Sequence, residues 1–275
     1  MDPTAPPSGV VPPLRELEAL TGKFRPGELI VIAGHTGVGK SILALDVVRK
    51  AAIRDRLPTL MFTCGESTEE IAEKILSAES GIPRRNLALR ELSEADLQRV
   101  QRTADSLRSM PLTFISPAAC SLEEIRSTLA RPSNRGLRLL VIDYVQLVQF
   151  GDPPQWSPDA PGFTAGLKRL ARTFDMPIVA VSQMKGPGDE ECERRLRRGQ
   201  APVLGDIPAG LRGDADVVIL VHRRAHGNPE SPHTGETEII VAKNRQGRTG
   251  TVTAAFLGHY ARIANMARWD APAAS

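Results

Sequence analysis

The sequence predicts an α/β fold, a mostly parallel central sheet flanked by helices with an antiparallel C-terminal β-hairpin. Three observations predict it. The apolar run ELIVIAG at 28–34 leads directly into HTGVGKS and then into a helical pattern. Near-continuous apolar runs then alternate with amphipathic stretches, as in parallel strands covered by helices on both faces. The last third changes character, because ETEIIVAK and GTVTAAFL are joined by NRQGRT, a short Gly-containing connection typical of a hairpin.

Composition bounds what the fold can be. At 275 residues and 41% hydrophobic content the chain suits one large domain better than two small ones. A net charge of +3 with 24% charged residues means that any nucleic-acid surface is local. The three cysteines, Cys64, Cys120 and Cys192, have neither metal-ligand spacing nor the even count of a disulfide framework, which fits a reducing cytosol and a cytoplasmic protein. No run approaches the roughly 18 apolar residues of a membrane span.

The elements follow in order. Residues 1–13, with five prolines, read as a disordered arm; the folded domain is expected over 14–266, with a flexible tail at 267–275. After the Gly-rich turn and its helix, TLMFT at 59–63 is a buried-strand pattern, and Ser67 with Glu70 forms a capping box that opens a helix. A second capping pattern at Ser93 and Asp96 starts a helix to about Ser109, PLTFIS is a strand, and Ser121 with Glu124 caps a helix that ends before Pro132. RLLVID and PIVAVS are parallel-strand runs with the helix GLKRLARTF between them, and DVVILV is a further strand. Two segments, 151–162 and 186–210, carry no element signal and follow strand ends, so they read as functional loops or, alternatively, as surface linkers.

Several residues carry chemistry. Gly34, Gly37 and Gly39 let the backbone curl so that the N–H groups of Thr36, Val38, Lys40, Ser41 and Ile42 can face phosphate oxygens at a helix N-terminus. The pattern Gly-x-x-x-x-Gly-Lys-Ser is that of a nucleotide-binding P-loop, with Lys40 reaching the β- and γ-phosphates and Ser41 on Mg²⁺. Asp143 ends the apolar run LLVID, where a carboxylate can complete the Mg²⁺ shell opposite Ser41. Glu66 in CGESTEE lies just past the strand next to the P-loop strand, placed to polarise a water; a first-turn helix role is the alternative. Gln183 ends PIVAVSQ as a candidate γ-phosphate sensor, and Lys243 and Arg245, alternating about Asn244, can project from one side toward a phosphate or form a solvated hairpin tip. Arg194, Arg195, Arg197 and Arg198 can contact nucleic-acid phosphates, but Asp189, Glu190, Glu191 and Glu193 adjoin them and offset the field. With aromatics at 4%, base stacking is not a dominant mode.

The ordered set LEALTGKFRPGELIVIAGHTGVGKS, CGES, VIDYVQL, LKRLARTFDMPIVAVSQM, PVLGDIP, GDADVVILVHR and ETEIIVAKNRQGRTGTVTAAF resembles the ATPase domain of DnaB-type replicative helicases, a RecA-like fold. The resemblance implies a homohexameric ring with ATP between subunits, single-stranded DNA in a central channel, and replication or loader proteins as partners. It implies that Lys40, Ser41 and Asp143 bind ATP and Mg²⁺, that Glu66 is the catalytic carboxylate and Gln183 the sensor, and that Lys243 and Arg245 act in trans as an arginine-finger element. Three stretches depart from the family pattern. A Pro-rich arm stands where the family has an N-terminal helical domain and linker helix, GDPPQWSPDAPGFTAG follows VIDYVQL, and IPAGLRG follows LGD. These departures keep open a second reading, a RecA-like assembly, recombination or loader protein that does not unwind DNA. A small-molecule kinase shares the P-loop but needs a lid and acceptor site that the sequence does not display.

Overall fold

A computed structural model of the chain describes residues 9–117, 120–150, 162–184, 190–225 and 230–266, without the side chains of Leu196 and Arg197. The elements run α1 (Arg15–Thr21), β1 (Leu29–Gly34), α2 (Lys40–Arg49), β2 (Thr59–Thr63), α3 (Thr68–Ser80), α4 (Arg84–Leu89), α5 (Glu94–Leu107), β3 (Leu112–Ile115), β4 (Cys120–Ser121) and α6 (Leu122–Leu129). They continue with β5 (Leu139–Asp143), β6 (Val148–Gln149), α7 (Phe163–Thr173), β7 (Ile178–Gln183), α8 (Glu190–Arg197), α9 (Ala209–Asp214), β8 (Val217–His222), β9 (Glu236–Asn244), β10 (Gly250–Leu257) and β11 (Arg262–Asn265).

The main sheet has the order β11-β10-β9-β8-β1-β7-β5-β2-β3. From β8 to β3 every pairing is parallel, and β9, β10 and β11 pair antiparallel at the other edge. Strands β1, β2, β5 and β8 are buried at every position, and β7 at all but Gln183, which is why their sequences are continuous and not alternating. β9 alternates instead, with one face half-buried. One core layer joins Leu17, Leu43, Val47 and Ile71 from α1, α2 and α3 to one face of the sheet; the other joins Ile125, Leu167 and Leu211 from α6, α7 and α9 to the opposite face. The result is a three-layer sandwich whose parallel strands end together at one edge.

The local signals hold at helix starts. Ser67 accepts from the Glu70 N–H while Glu70 accepts from the Ser67 N–H, and Ser93 with Asp96 repeats the arrangement. Two expectations need correction. Residues 9–13, expected in the arm, belong to the fold, because Val10 is buried and its N–H and C=O both bond to Phe24. Residues 1–8 and the tail at 267–275 lie outside the described residues. The segment 186–210 is not a loop throughout, because α8 forms within it. Its sequence EECERRLR puts three acids in the first turn and Arg195 one turn after Glu191, a helix-stabilising charge order that low hydrophobicity concealed. Residues 151–161, in the other unassigned segment, lie outside the described residues.

Candidate nucleotide-binding site

β1 delivers the P-loop to the sheet edge where the parallel strands end. The tight fit there requires glycine at two positions. A Cβ at Gly34 would sit 2.7 Å from the Val221 carbonyl oxygen, and one at Gly39 would sit 2.7 Å from the Phe256 ring. Gly39 also has φ 105° as the cap residue before α2, a conformation that L side chains rarely adopt. Val38 is buried and Ile42 packs on the core, anchoring the loop from both sides, while Thr36 is exposed.

Register then aligns the other residues. Gly34 pairs with Gln183 of β7, and Thr63 of β2 pairs with Asp143 of β5. β2 is next to β1 in the chain but not in the sheet, since β7 and β5 stand between them. Glu66 reaches the site because the turn after β2 folds back: the Thr63 hydroxyl donates to the Glu66 carbonyl at 2.7 Å, and the Cys64 N–H donates to the Asp143 carbonyl at 2.6 Å. A cavity of about 240 Å³ is lined by Ser41, Thr63, Gly65, Glu66, Asp143 and Tyr144.

The electrostatics of this cavity are concentrated. Burial pushes the Asp143 carboxyl up to about 6, opposed by a hydrogen bond from Ser41, with nearby Glu66 adding to the rise. Burial pulls the Lys40 ammonium down to about 8 against the attraction of Asp143, and its Nζ donates to the His35 carbonyl at 2.8 Å. Lys74 of α3 pairs with Glu66 Oε1, whereas the buried Oε2 has no hydrogen-bond partner. An all-oxygen set of a hydroxyl and two close carboxylates, one of them buried, fits a hard divalent cation. Gln146 fixes the neighbouring strand end: its Nε2 donates to Ser182 Oγ at 2.9 Å, and its Oε1 accepts from the Gln183 N–H at 3.2 Å.

Lys243 and Arg245 are elsewhere. β9 runs antiparallel to β8, so Asn244 pairs with Val217 at the start of β8, while the P-loop lies beside Val221 at its end. A strand of this length spans roughly 20 Å. Both side chains do project to one side, as their alternation implies: Lys243 Nζ donates to the Arg212 carbonyl at 2.7 Å, and Arg245 Nη2 to the Gly213 carbonyl at 3.0 Å. In α8, Arg195 donates to Glu191 at 2.8 Å, and Arg194 and Arg198 are at the surface.

A family model described as the DnaB-like helicase C terminal domain matches residues 9–265. The chain belongs to this family. It is 36% identical over 265 residues to the replicative DNA helicase DnaB of Leifsonia xyli and 33% identical over 260 residues to that of Treponema pallidum, covering 94% and 93% of this chain. The chain spans 56% of the length of each of these relatives. Among solved structures, a stand-alone ATPase domain superposes with a TM-score of 0.84 at 22% identity, covering 96% of this chain and 94% of that one. A DnaB-like replicative helicase described with its primase interactions gives the same score and identity over 64% of its length. The fold is therefore RecA-like, as the sequence resemblance implies.

Within this DnaB-family domain four neighbours of the site escape the sequence reading. Lys74 and Gln146 touch Glu66 and Gln183. Phe256 rests against Gly39, and the Arg223 guanidinium lies 3.8 Å over its ring. HR at 222–223 is visible as a cationic end to a buried strand, and Lys74 lies two turns from Glu66 on a legible helix; nothing local marks Gln146 or Phe256.

Proposed function

We propose that the chain is the motor domain of a DnaB-type helicase, hydrolysing ATP to drive movement along single-stranded DNA, with copies arranged in a hexameric ring and ATP held between neighbours. The observation that carries this is the division of the site. Lys40, Ser41, Glu66, Asp143 and Gln183 gather at one end of the sheet, and the paired cations Lys243 and Arg245 sit at the other, a strand length away, which suits a role toward another copy's nucleotide.

Lys40 and the N–H groups of residues 36–42 bind the phosphates. Ser41 and Asp143 would hold Mg²⁺, which would supply charge neutralisation of the nucleotide phosphates. Glu66, with Oε1 fixed by Lys74, uses Oε2 to orient and take a proton from the attacking water. Gln183 senses the γ-phosphate from the end of β7, where Gln146 bonds its N–H. Arg223 over Phe256 offers a flat cationic and aromatic platform beside the P-loop on which a purine can stack. Arg194 and Arg198, with Arg195 and Arg197, are the phosphate contacts for DNA. Replication or loader proteins are the expected partners.

The test is ATP turnover measured against single-stranded DNA concentration, with solution mass in ATP and Mg²⁺. Turnover rising about tenfold or more with DNA in an assembled species supports the motor. A strict monomer with a flat rate would remove it; an assembled species with a flat rate favours the non-unwinding RecA-like reading.

A further inference from the structure

The carboxylate just before β8 is divided between the fold and the hairpin cation. Asp216 is buried, 6% exposed. Its Oδ2 accepts from the Leu29 N–H of β1 at 2.8 Å and from Lys168 Nζ of α7, an ammonium that also donates to the Gly27 carbonyl at 2.6 Å. Its backbone is held as well, because its N–H donates to the Leu29 carbonyl and its own carbonyl accepts from the Arg245 N–H, both at 2.9 Å. These bonds keep the side chain in one place. Its Oδ1 lies 3.5 Å from Arg245 Nη1.

Arg245 is therefore gripped at both terminal nitrogens, Nη1 by this carboxylate and Nη2 by the Gly213 carbonyl at 3.0 Å. Its side chain remains 46% exposed, so N–H groups are left over for a ligand that arrives from outside. The Gly213 carbonyl also accepts from Lys243 Nζ at 3.0 Å, which brings two cations onto one oxygen. Burial and the neighbouring Arg245 pull the Lys243 ammonium down, and Asp216 and Asp214 oppose that fall. Asp214 accepts from the Thr164 hydroxyl of α7, whereas Asp216 faces Arg245 directly. A contact of 3.5 Å through one nitrogen is looser than a bidentate pair, so it orients the guanidinium without occupying it.

We propose that Asp216 is a positioning residue for Arg245, holding the guanidinium in the orientation in which the nucleotide phosphates of a neighbouring copy meet it. A long cation on a hairpin loses rotamer freedom when it reaches a phosphate, and one already held by its own chain loses less. Asp216 touches no phosphate itself. It is built into the fold through Oδ2, which ties the start of β1 to α7, and its charge acts on the site through Oδ1 and Arg245. The effect on turnover rests on the trans role proposed above for Arg245; the hold of Asp216 on Arg245 does not.

The experiment labels the dilute full chain, free of nucleotide, with phenylglyoxal, maps the modified arginines by peptide mass, and measures ATP turnover of each variant in the assembled species. In the unsubstituted chain Arg245 should react several-fold more slowly than Arg248, which lies in the same β9–β10 turn; equal rates overturn the hold, and that comparison needs no variant to fold. Asp216→Asn keeps the shape and an oxygen for the Leu29 N–H but not the charge. It should raise the Arg245 labelling rate to that of Arg248 and lower kcat about tenfold or more, as small displacements of a catalytic group do, with KM for ATP unchanged. In an Arg245→Ala background the same substitution should cost nothing further, because residues that act through one group are not additive; a full additional loss overturns positioning. Lys168→Gln takes a charge from the Oδ2 side alone and should leave Arg245 slow to label; labelling as fast as in Asp216→Asn overturns the assignment of the hold to Oδ1. If Arg245→Ala turns over normally, the trans reading fails, and the labelling rates alone decide the hold.

Discussion

The two ends of the central sheet treat their charged residues differently. At the P-loop end, Lys40, Asp143 and Glu66 are drawn into one partly buried cavity, where burial moves Lys40 down to about 8 and Asp143 up to about 6. At the opposite end, Lys243 and Arg245 lie on backbone carbonyls at the end of α9, with Arg245 46% exposed at its side chain. The first group is strained electrostatically toward a bound ligand. The second is held on its own chain by part-buried and exposed carbonyl bonds, with Arg245 also 3.5 Å from the buried Asp216 carboxylate. One end gathers its charges into a cavity, and the other holds its cations on its own chain, at the end of α9 and on Asp216.

The largest expected effect breaks this comparison directly. Arg245→Ala should lower turnover by about a thousand-fold, the scale of an arginine finger, with ATP affinity of the isolated chain unchanged. Mixing Arg245→Ala with Lys40→Ala should restore measurable turnover, because one copy supplies each half; no recovery on mixing removes the trans role. Next, Glu66→Gln should cost about a hundred-fold or more in turnover while ATP still binds, and a near-normal rate would move the base elsewhere. Phe256→Ala should weaken ATP binding several-fold, in line with about 1 kcal/mol for a stacked aromatic and cation pair, measured by titration with and without the base. The smallest effect is with pH. Lys40 is charged below about 8 and neutral above it, so phosphate affinity of the free chain should fall as pH rises through about 8. Lys40→Arg should carry that fall beyond the measurable range.

The same contrast explains how much was legible in advance. The P-loop, the capping boxes at Ser67 and Ser93, and the buried runs of β1, β5, β7 and β8 are local patterns, and each element formed where its pattern lay. Val10 was hidden by the prolines around it, although a single apolar residue and two backbone bonds suffice to attach it. Helix α8 was hidden by charge, although its charges are in the order that a helix prefers. Lys74 was half legible, because its helix was read correctly but its distance from Glu66 depends on how the turn after β2 folds back.

By itself the sequence determined the kind of element at each position and the identity of the phosphate-binding loop. These depend on side-chain periodicity and on the backbone freedom of a few glycines, which act over one or two turns of chain. Tertiary structure alone decided that β7 and β5 separate β1 from β2, that Phe256 closes on Gly39, that Lys74 reaches Glu66, and that Lys243 and Arg245 stand a strand length from the P-loop. Those are matters of strand order and packing between residues far apart in the chain, and no local pattern encodes which distant neighbour a buried face will find.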